Sequence, residues 1–440
     1  MTLSPGADLF PLLAGVLAAL TCGLLGNFLV LRRLSLMGDA ISHSVLPGLV
    51  IAFIVSATRS PVAMFVGAAA AGVVTVALVE LVKRLGRVEP GAAMGVVFSV
   101  LFALGVLLVE HAARAVDLDA DCVLHGQLET LAWYGAPARW GEVGLTEAIN
   151  AAPRQVVVLV VACLATAAFV TLLFKELRLA AFDPGLATVQ GFSAELLHYA
   201  LMIFVAIATV ASFEAVGSIL VIAMLVCPAA SARMVTDRLR AQILWSAGFA
   251  VAGGVLGYVA ASGVPALFGK DSVNAAGSMA VVSGMILAGA IVASPRHGLA
   301  AKWLRRRALA GSVGVDDVLG VLFRAREGGR TRVALAALSP LPLGRPLDAV
   351  LARAARDGLV TLHAAEVELT GRGLSAAANV VRRHRLWECY LVAEAGVAPD
   401  HVHLSAERLE HAPVQPGSDA RADPHGRVIP AVSEPPNLGH

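Results

Sequence analysis

The first 295 residues repeat one feature, the apolar run about as long as a bilayer's hydrocarbon core, which a helix crosses in roughly 20 residues. The runs fall near 9–31, 45–58, 61–82, 92–109, 156–174, 198–212, 217–230, 242–262 and 275–293. Lipid offers no hydrogen-bond partner, so a single apolar segment inside it must pair its own backbone groups, as a helix does. The runs therefore predict an all-α polytopic membrane protein with eight or nine transmembrane helices. The count stays open because 45–58, 198–212 and 217–230 are short. They read as half-helices, or as parts of longer spans broken at Pro47-Gly48 and Gly217. Composition agrees. Of 440 residues, 57% are hydrophobic and 15% charged, against roughly 25% charged in soluble domains. Most of the charge lies in 296–440, which reads as a soluble appendage, and the net charge of +2 averages two unlike halves.

Lys and Arg mark the cytoplasmic ends of spans. Arg32-Arg33, Lys83 to Arg87, Lys175 to Arg178, Arg233 to Arg240 and Arg296 to Arg307 fall at such ends. This places the C-terminal part in the cytoplasm and the long, early-acidic stretch 110–155 outside. The N-terminus is outside under nine spans and inside under eight. It lacks the basic stretch and cleavage site of a signal peptide, so the first run reads as the first membrane helix. Gly67 to Gly72 and Ala252-Gly-Gly254 predict close helix approach. Five scattered cysteines form neither a disulfide framework nor a zinc motif.

Between the first two runs lies Leu34-Ser-Leu-Met-Gly-Asp-Ala-Ile-Ser-His-Ser-Val-Leu-Pro-Gly48. On a helix, Asp39 and His43 share one face, one turn apart. Ionisable groups at membrane depth are costly and face cavities or partners rather than lipid. Oxygen and nitrogen donors together suit manganese, zinc or ferrous iron. Gly38, Pro47 and Gly48 bracket the pair and predict a broken helix, a transporter feature. The plainer reading is a pore-facing pair with a packing role. Glu214, in an apolar region, is either a third group for this site or a solvent-facing acid at a bend. Asp117, Asp119, Asp121 and His125 read as an exposed acidic loop. In 174–191, Asp183 is a helix N-cap with Pro184 first in the helix and a stop at Gly191. Such a short helix is either a connector or a docking element.

No nucleotide site is present. Gly263 to Lys270 ends in Gly-Lys, but Asp271 follows and the spacing is one too long for a phosphate loop. Metalloprotease and nucleophile-elbow motifs are also missing from the sequence. The chain reads as a translocating subunit rather than an enzyme, and ATP energy has to come from a separate subunit.

In the soluble part, Asp316–Gly329, Val333–Leu338 and Pro346–Leu359 read as helices and Val360–Leu369 as a hairpin, the order of a winged helix-turn-helix. Arg345, Arg353 and Arg356 give the supposed recognition helix only modest basic character, so nucleic acid is an unlikely partner. His384 and Glu388 lie one turn apart on one helix. His403, Glu407, Glu410 and His411 fall on one face of the next. Six such donors suit a divalent metal; the plainer reading is a solvated charged face. The expected divisions are 1–300 transmembrane, 301–370 winged-helix-like, 371–412 helical and metal-binding, and 413–440 a disordered tail.

Gly26 to Gly48 closely resembles the signature of the ATP-binding-cassette metal-ion permeases, the membrane subunits of manganese, zinc and iron importers. Phe182 to Gly191 is similar to their cytoplasmic coupling segment, and Ser212 to Ala230 to their late-membrane motif. The resemblance implies a bacterial inner-membrane permease acting as a homodimer, with an ATPase inside and an extracytoplasmic metal-binding protein outside. It implies that Asp39 and His43 line the ion path with Glu214 as a further candidate, and that Phe182, Asp183, Ala187 and Gly191 belong to the ATPase contact.

The soluble part resembles the metal-dependent repressors of the diphtheria-toxin-repressor and manganese-repressor type, through Arg382 to Glu388 and Val402 to His411. That resemblance implies a metal-binding and dimerisation region, with His384, Glu388, His403, Glu407, Glu410 and His411 on ligand positions. Asp316 matches a ligand on the first helix, while Leu319 stands where a further acid is expected. Glu407 supplies a hard oxygen, which favours manganese. The expected function is a divalent-metal permease, manganese before zinc or iron, fused to a cytoplasmic metal-sensing domain. The alternatives are a membrane-tethered metal-dependent transcription regulator and a secondary transporter working alone.

Overall fold

A computed structural model describes residues 4–56, 60–112, 128–137, 139–269, 272–341, 343–409, 411 and 420–431. Asp117, Asp119, Asp121, His125 and Glu410 lie outside the described residues. The chain divides into two compact units, Met1–Ala301 and Lys302–His440.

The first unit is helical: α1 Pro5–Leu31, α2 Met37–Ser56, α3 Pro61–Gly86, α4 Pro90–Ala112, α5 Leu145–Ala151, α6 Arg154–Leu172, α7 Phe174–Phe182, α8 Pro184–Val189, α9 Ala194–Val235, α10 Leu239–Leu267 and α11 Ala275–Ala293. Eight of the described helices are long and apolar enough to cross a membrane. α1 and α9 are the most enclosed of these and pack against each other at the centre.

The 42 residues of α9 are two helices joined at Gly217, whose φ of 78° and ψ of 169° leave the helical region. Glycine alone adopts such a conformation without strain. Neighbouring contacts show that the chain reverses there. α10 is antiparallel to α1, since Gln242 bonds to Asn27 and Gly254 packs on Val16. α11 is antiparallel to α10, since Gly253 faces Ser283 and Gly257 faces Met279. The C-terminal ends of α1 and α11 therefore share one side. At those ends His198, near the start of α9, meets Arg32 at 2.9 Å, and Ser294 donates to the carbonyl of Met234, near its finish. Both ends of α9 lie on that side, and its two arms correspond to the short runs 198–212 and 217–230.

α2 corrects one expectation: it runs unbroken through Pro47 and Gly48. Proline has no N–H, so the carbonyl of His43 loses its helical partner while the helix continues. Gly48 is needed for packing, because a Cβ there would overlap the carbonyl of Gly67 on α3. Gly26 likewise lets α1 lie against the carbonyl of Leu225. Small residues thus bring the helices close where lipid supplies little hydrophobic drive for association.

At the end of the bundle marked by Arg32, Glu80 accepts from Lys83 Nζ at 3.0 Å and Arg84 Nε at 2.9 Å, with His198 Nε2 3.6 Å away. Asp183 caps α8 as its sequence predicts, accepting from the Leu186 N–H at 2.9 Å, and Pro184 opens the helix. Gly191 follows at φ +86°. Ala187 is buried, while Phe182, Leu186, Val189 and Phe192 are exposed.

The second unit contains all but the first turn of α12 Leu299–Glu327, then β1 Arg332–Ala334, α13 Leu335–Leu338, α14 Leu347–Arg356, β2 Val360–His363, β3 Glu366–Leu369, α15 Gly371–Ala393 and α16 His403–Leu409. Its strands form an antiparallel sheet in the order β1-β3-β2. Val333 lies in β1, pairing with Val367, rather than in the helix expected over Val333–Leu338. Val318, Leu319, Leu322, Val350, Val367 and Ala377 share one core, so α15 packs with the elements before it. The tail differs from the disorder expected over 413–440. Residues 420–431 form a turn with Ala422 bridged to Val428 and with Asp423 and Ile429 buried. Low hydrophobicity suggested disorder, but anchoring to α15 supplies the missing burial.

Gly26→Ala is expected to destabilise the protein by about 1–3 kcal/mol, the usual effect of overpacking. Thermal unfolding of the purified chain in detergent, followed by size-exclusion chromatography, would measure it.

Candidate metal sites

In the membrane unit, Asp39 and His43 stand on the first two turns of α2. His43 Nε2 lies 3.3 Å from Asp39 Oδ1, and both side chains are about one-third exposed. Phe98 and Phe102 of α4 flank the imidazole with ring centroids 5.9 Å away. The neighbouring Gly38 packs on Leu225, which also meets Gly26 of α1. The freed carbonyl of His43 adds an oxygen on the same helix.

Glu214 stands three residues before the Gly217 break. It accepts from Arg154 Nη1 at 3.3 Å and lines a cavity of about 210 Å³ with Val45, Leu49 and Phe213. It shares a cavity with α2 one turn beyond His43, and its described charge partner is Arg154. Among the described residues, no third carboxylate or imidazole converges with Asp39 and His43.

In the second unit, His384 and Glu388 face His403 across α15 and α16. His384 Nε2 lies 3.0 Å from Glu388 Oε1, and His403 Nδ1 lies 2.5 Å from the same oxygen. Their donor atoms fall within 4.8 Å of one another. Glu388 is 1% exposed. Burial alone would raise its carboxyl pKa, but the two imidazoles outweigh burial and hold it below the ordinary carboxylate value. Both rings point a nitrogen at the same carboxylate oxygen. Two imidazoles and a buried carboxylate meeting at one point are donor types that a divalent transition metal takes.

A cavity of about 170 Å³ opens here, lined also by Glu407 and Asp423 and by Arg324, Arg385 and Arg427. Arg385 is already engaged, donating to both oxygens of Glu327 at 2.9 and 2.7 Å. The set of two imidazoles and two or three carboxylates fits a divalent transition metal.

A second group forms around His411. Its Nδ1 lies 3.5 Å from Asp316 and its Nε2 3.3 Å from Asp317. Arg383 also pairs with Asp316 at 3.2 Å. Leu319 is 1% exposed, in the core. The acid that accompanies Asp316 is thus Asp317, two residues earlier.

Residues 10–133 and 145–294 match the ABC 3 transport family. The chain belongs to that family. Residues 370–414 match the iron dependent repressor metal binding and dimerisation domain. This permease is 37% identical over 291 residues to the manganese transport system membrane protein MntD of Bacillus subtilis (strain 168), covering 66% of this chain and 93% of the relative. It is 35% identical over 375 residues to the zinc transport system membrane protein TroD of Treponema pallidum (strain Nichols), covering 83% of this chain and 96% of the relative. That alignment is longer than the membrane unit, so the likeness continues into the second unit. Among solved structures it resembles PsaBC from Streptococcus pneumoniae in complex with Fab, with 26% identity and a TM-score of 0.52, covering 66% of this chain and 92% of that one.

Three groups of this ABC 3 permease carried no clear signal in sequence: Arg154, Asp317 and the pair Asp423–His425. Arg154 opens a helix after a long loop, so only packing brings it to Glu214. Asp423 and His425 sit in a stretch whose composition reads as unstructured.

Adding Mn²⁺ to the purified permease is expected to raise its melting temperature, by about 2.7 kcal/mol of stabilisation at 100-fold excess over Kd. Glu388→Gln should lose most of the share owed to the second unit, when both chains carry His43→Ala to silence the membrane pair.

Proposed function

We propose that the membrane unit imports a divalent transition metal ion, manganese before zinc or iron, and that the second unit senses the same ion in the cytoplasm. The observation that carries the import reading is the Asp39–His43 pair. It is a carboxylate and an imidazole at membrane depth, beside a carbonyl freed by Pro47, on a helix packed against the centre of the bundle. These three donors would replace part of the ion's hydration shell. An extracytoplasmic binding protein would deliver the ion. Glu214, next to α2 and held by Arg154, would join the path once that ion pair opens.

A single copy leaves Asp39 and His43 partly exposed, and this supports a homodimer in which the pair faces a second copy across the path. The positive-inside pattern supports one orientation. With the reversal at Gly217, the basic clusters at the span ends share one side, which supports Pro5 outside and a cytoplasmic second unit. There the apolar face of Phe182, Leu186, Val189 and Phe192 suits the docking of an ATPase, with Asp183 and Gly191 fixing the ends of the docking helix and Ala187 seating it. ATP hydrolysis belongs to that partner.

In the second unit His384, Glu388 and His403 would hold the ion, with Glu407 beside them. Glu407 and the mixed oxygen and nitrogen donors favour manganese. His411 with Asp316 and Asp317 is the weaker candidate, because Arg383 already balances Asp316. The regulator alternative gains little from α14, where Asp357 lies 3.8 Å from Arg353 and offsets basic charge that DNA would need.

Radiolabelled manganese uptake by vesicles carrying this chain, its ATPase and its binding protein tests both parts. His43→Ala is expected to lower ATP-dependent uptake at least tenfold; unchanged uptake would place the ion path elsewhere. Removing 310–440 should leave uptake insensitive to metal preloaded inside the vesicles. Equal sensitivity in both chains would sink the sensing role.

A further inference from the structure

The start of α10 meets α7 on the side of the bundle marked by Arg32, because α9 finishes on that side and α10 begins four residues later. A cavity of about 510 Å³ opens between them, lined by Phe174 and Arg178 of α7, by Arg238, and by Arg240 and Leu244 of α10. Its lining carries three guanidinium groups and no acid. Arg240 folds across Phe174, its guanidinium carbon 5.5 Å from the ring centroid. Asp237, the acid next in sequence, is turned toward Arg233 at 3.8 Å, Arg296 at 3.5 Å and His297 at 3.1 Å. Among the described residues, no carboxylate lies within ion-pair distance of Arg178, Arg238 or Arg240.

The backbone adds to the positive character. α10 begins at Leu239 with no side-chain cap. Its first N–H groups therefore have no helical partner, and this end of the helix favours an anion. Leu239 and Ala241, from that first turn, complete the lining.

The cavity also has an apolar side. Leu244 is 73% exposed, and Trp245 beside it is half exposed and stacks on Phe249, ring centroids 5.7 Å apart. Leu172, which ends α6 two residues before Phe174, is 80% exposed. These residues stand on helices long and apolar enough to cross the membrane, where exposed apolar side chains suit lipid tails. Tryptophan is the usual anchor at the level where tails meet headgroups.

Marking one face of the membrane does not need this arrangement. Arginines that serve only as topological markers can reach into water and spread apart. Here three converge on one recess with an apolar mouth. An anion that carries a tail accounts for both features.

We propose that this cavity binds the phosphate of an anionic phospholipid from the leaflet on the Arg32 side. Arg178, Arg238 and Arg240 take the phosphate, and Leu244 and Trp245 lie against the acyl chains. Guanidinium groups suit phosphate because their N–H groups match its oxygens in pairs. Basic pockets between membrane helices are where anionic headgroups bind. Phe174 opens the segment that leads through α7 to α8, so a bound lipid ties that segment to α10.

The test uses the full-length chain in detergent and native mass spectrometry, with phosphatidylglycerol, phosphatidylcholine and inorganic phosphate as probes. Phosphatidylglycerol is expected to bind about tenfold or more tightly than phosphatidylcholine, since each cation near an anionic lipid contributes about fivefold. Arg178→Gln with Arg240→Gln should erase that preference. A control chain with Arg87→Gln and Arg306→Gln loses the same charge away from the cavity and should keep it. Thermal unfolding without lipid, expected to be unchanged in both chains, separates lost binding from lost fold. Inorganic phosphate at millimolar concentration should leave the lipid bound. Displacement by phosphate in the parent chain would assign the cavity to a soluble anion and overturn the lipid. No preference for phosphatidylglycerol, or an equal loss in the control chain, would overturn the site itself.

Discussion

Every part of the membrane unit depends on the absence of hydrogen-bond partners in lipid. It forces the apolar runs into helices, and it makes any departure from helical backbone costly unless the surrounding protein absorbs it. The helical hydrogen-bond pattern is interrupted at Gly217 and at Pro47, and both lie inside the bundle. Gly217 lets one apolar element return to the side it entered from. Pro47 frees one carbonyl and leaves its helix intact. These two departures shape the surroundings of the Asp39–His43 pair and Glu214, the charged groups nearest α2. Close packing between glycines and carbonyls, at Gly26 with Leu225 and Gly48 with Gly67, holds those departures in place.

Polar groups inside the bundle are arranged in layers. Gln242 donates to the Asn27 side chain, and Asn27 and Ser246 both donate to the Gly23 carbonyl, tying α1 to α10. The Glu80 cluster ties α3 to the start of α9 at the end marked by Arg32. Asp39 and His43 differ from both, because their contact is mainly with each other and with aromatic rings. A pair left partly exposed and lightly bonded is available to an ion. The Glu80 group, bonded to Lys83 and Arg84 with His198 beside it, is committed to structure.

The second unit follows the same logic in a different solvent. Glu388 is buried with one oxygen facing two imidazoles, and the turn at 420–431 brings Asp423 to the same cavity. Its core, from Val318 to Ala377, holds α15 rigidly enough for these donors to converge. Arg385 links the layers, bonding Glu327 on α12 and the Val428 carbonyl of the 420–431 turn. The result is a small site enclosed on one side by secondary structure and on the other by a turn.

Much of this was legible in the sequence because it depends on local chemistry. Run length dictated the helices, Asp183-Pro184 dictated the cap of α8, and four-residue spacing put Asp39 with His43 and His384 with Glu388. The continuity of α2 was not legible, since proline and glycine signal a break whether they serve to interrupt a helix or to let neighbours approach. Only tertiary structure decided that α9 reverses, that Glu214 meets Arg154 sixty residues away in sequence, and that Asp317 rather than a residue at 319 joins His411. It alone brought the tail onto α15. Local propensity acts over a turn or two of chain, whereas these pairings follow from which faces the packed helices leave within reach of one another.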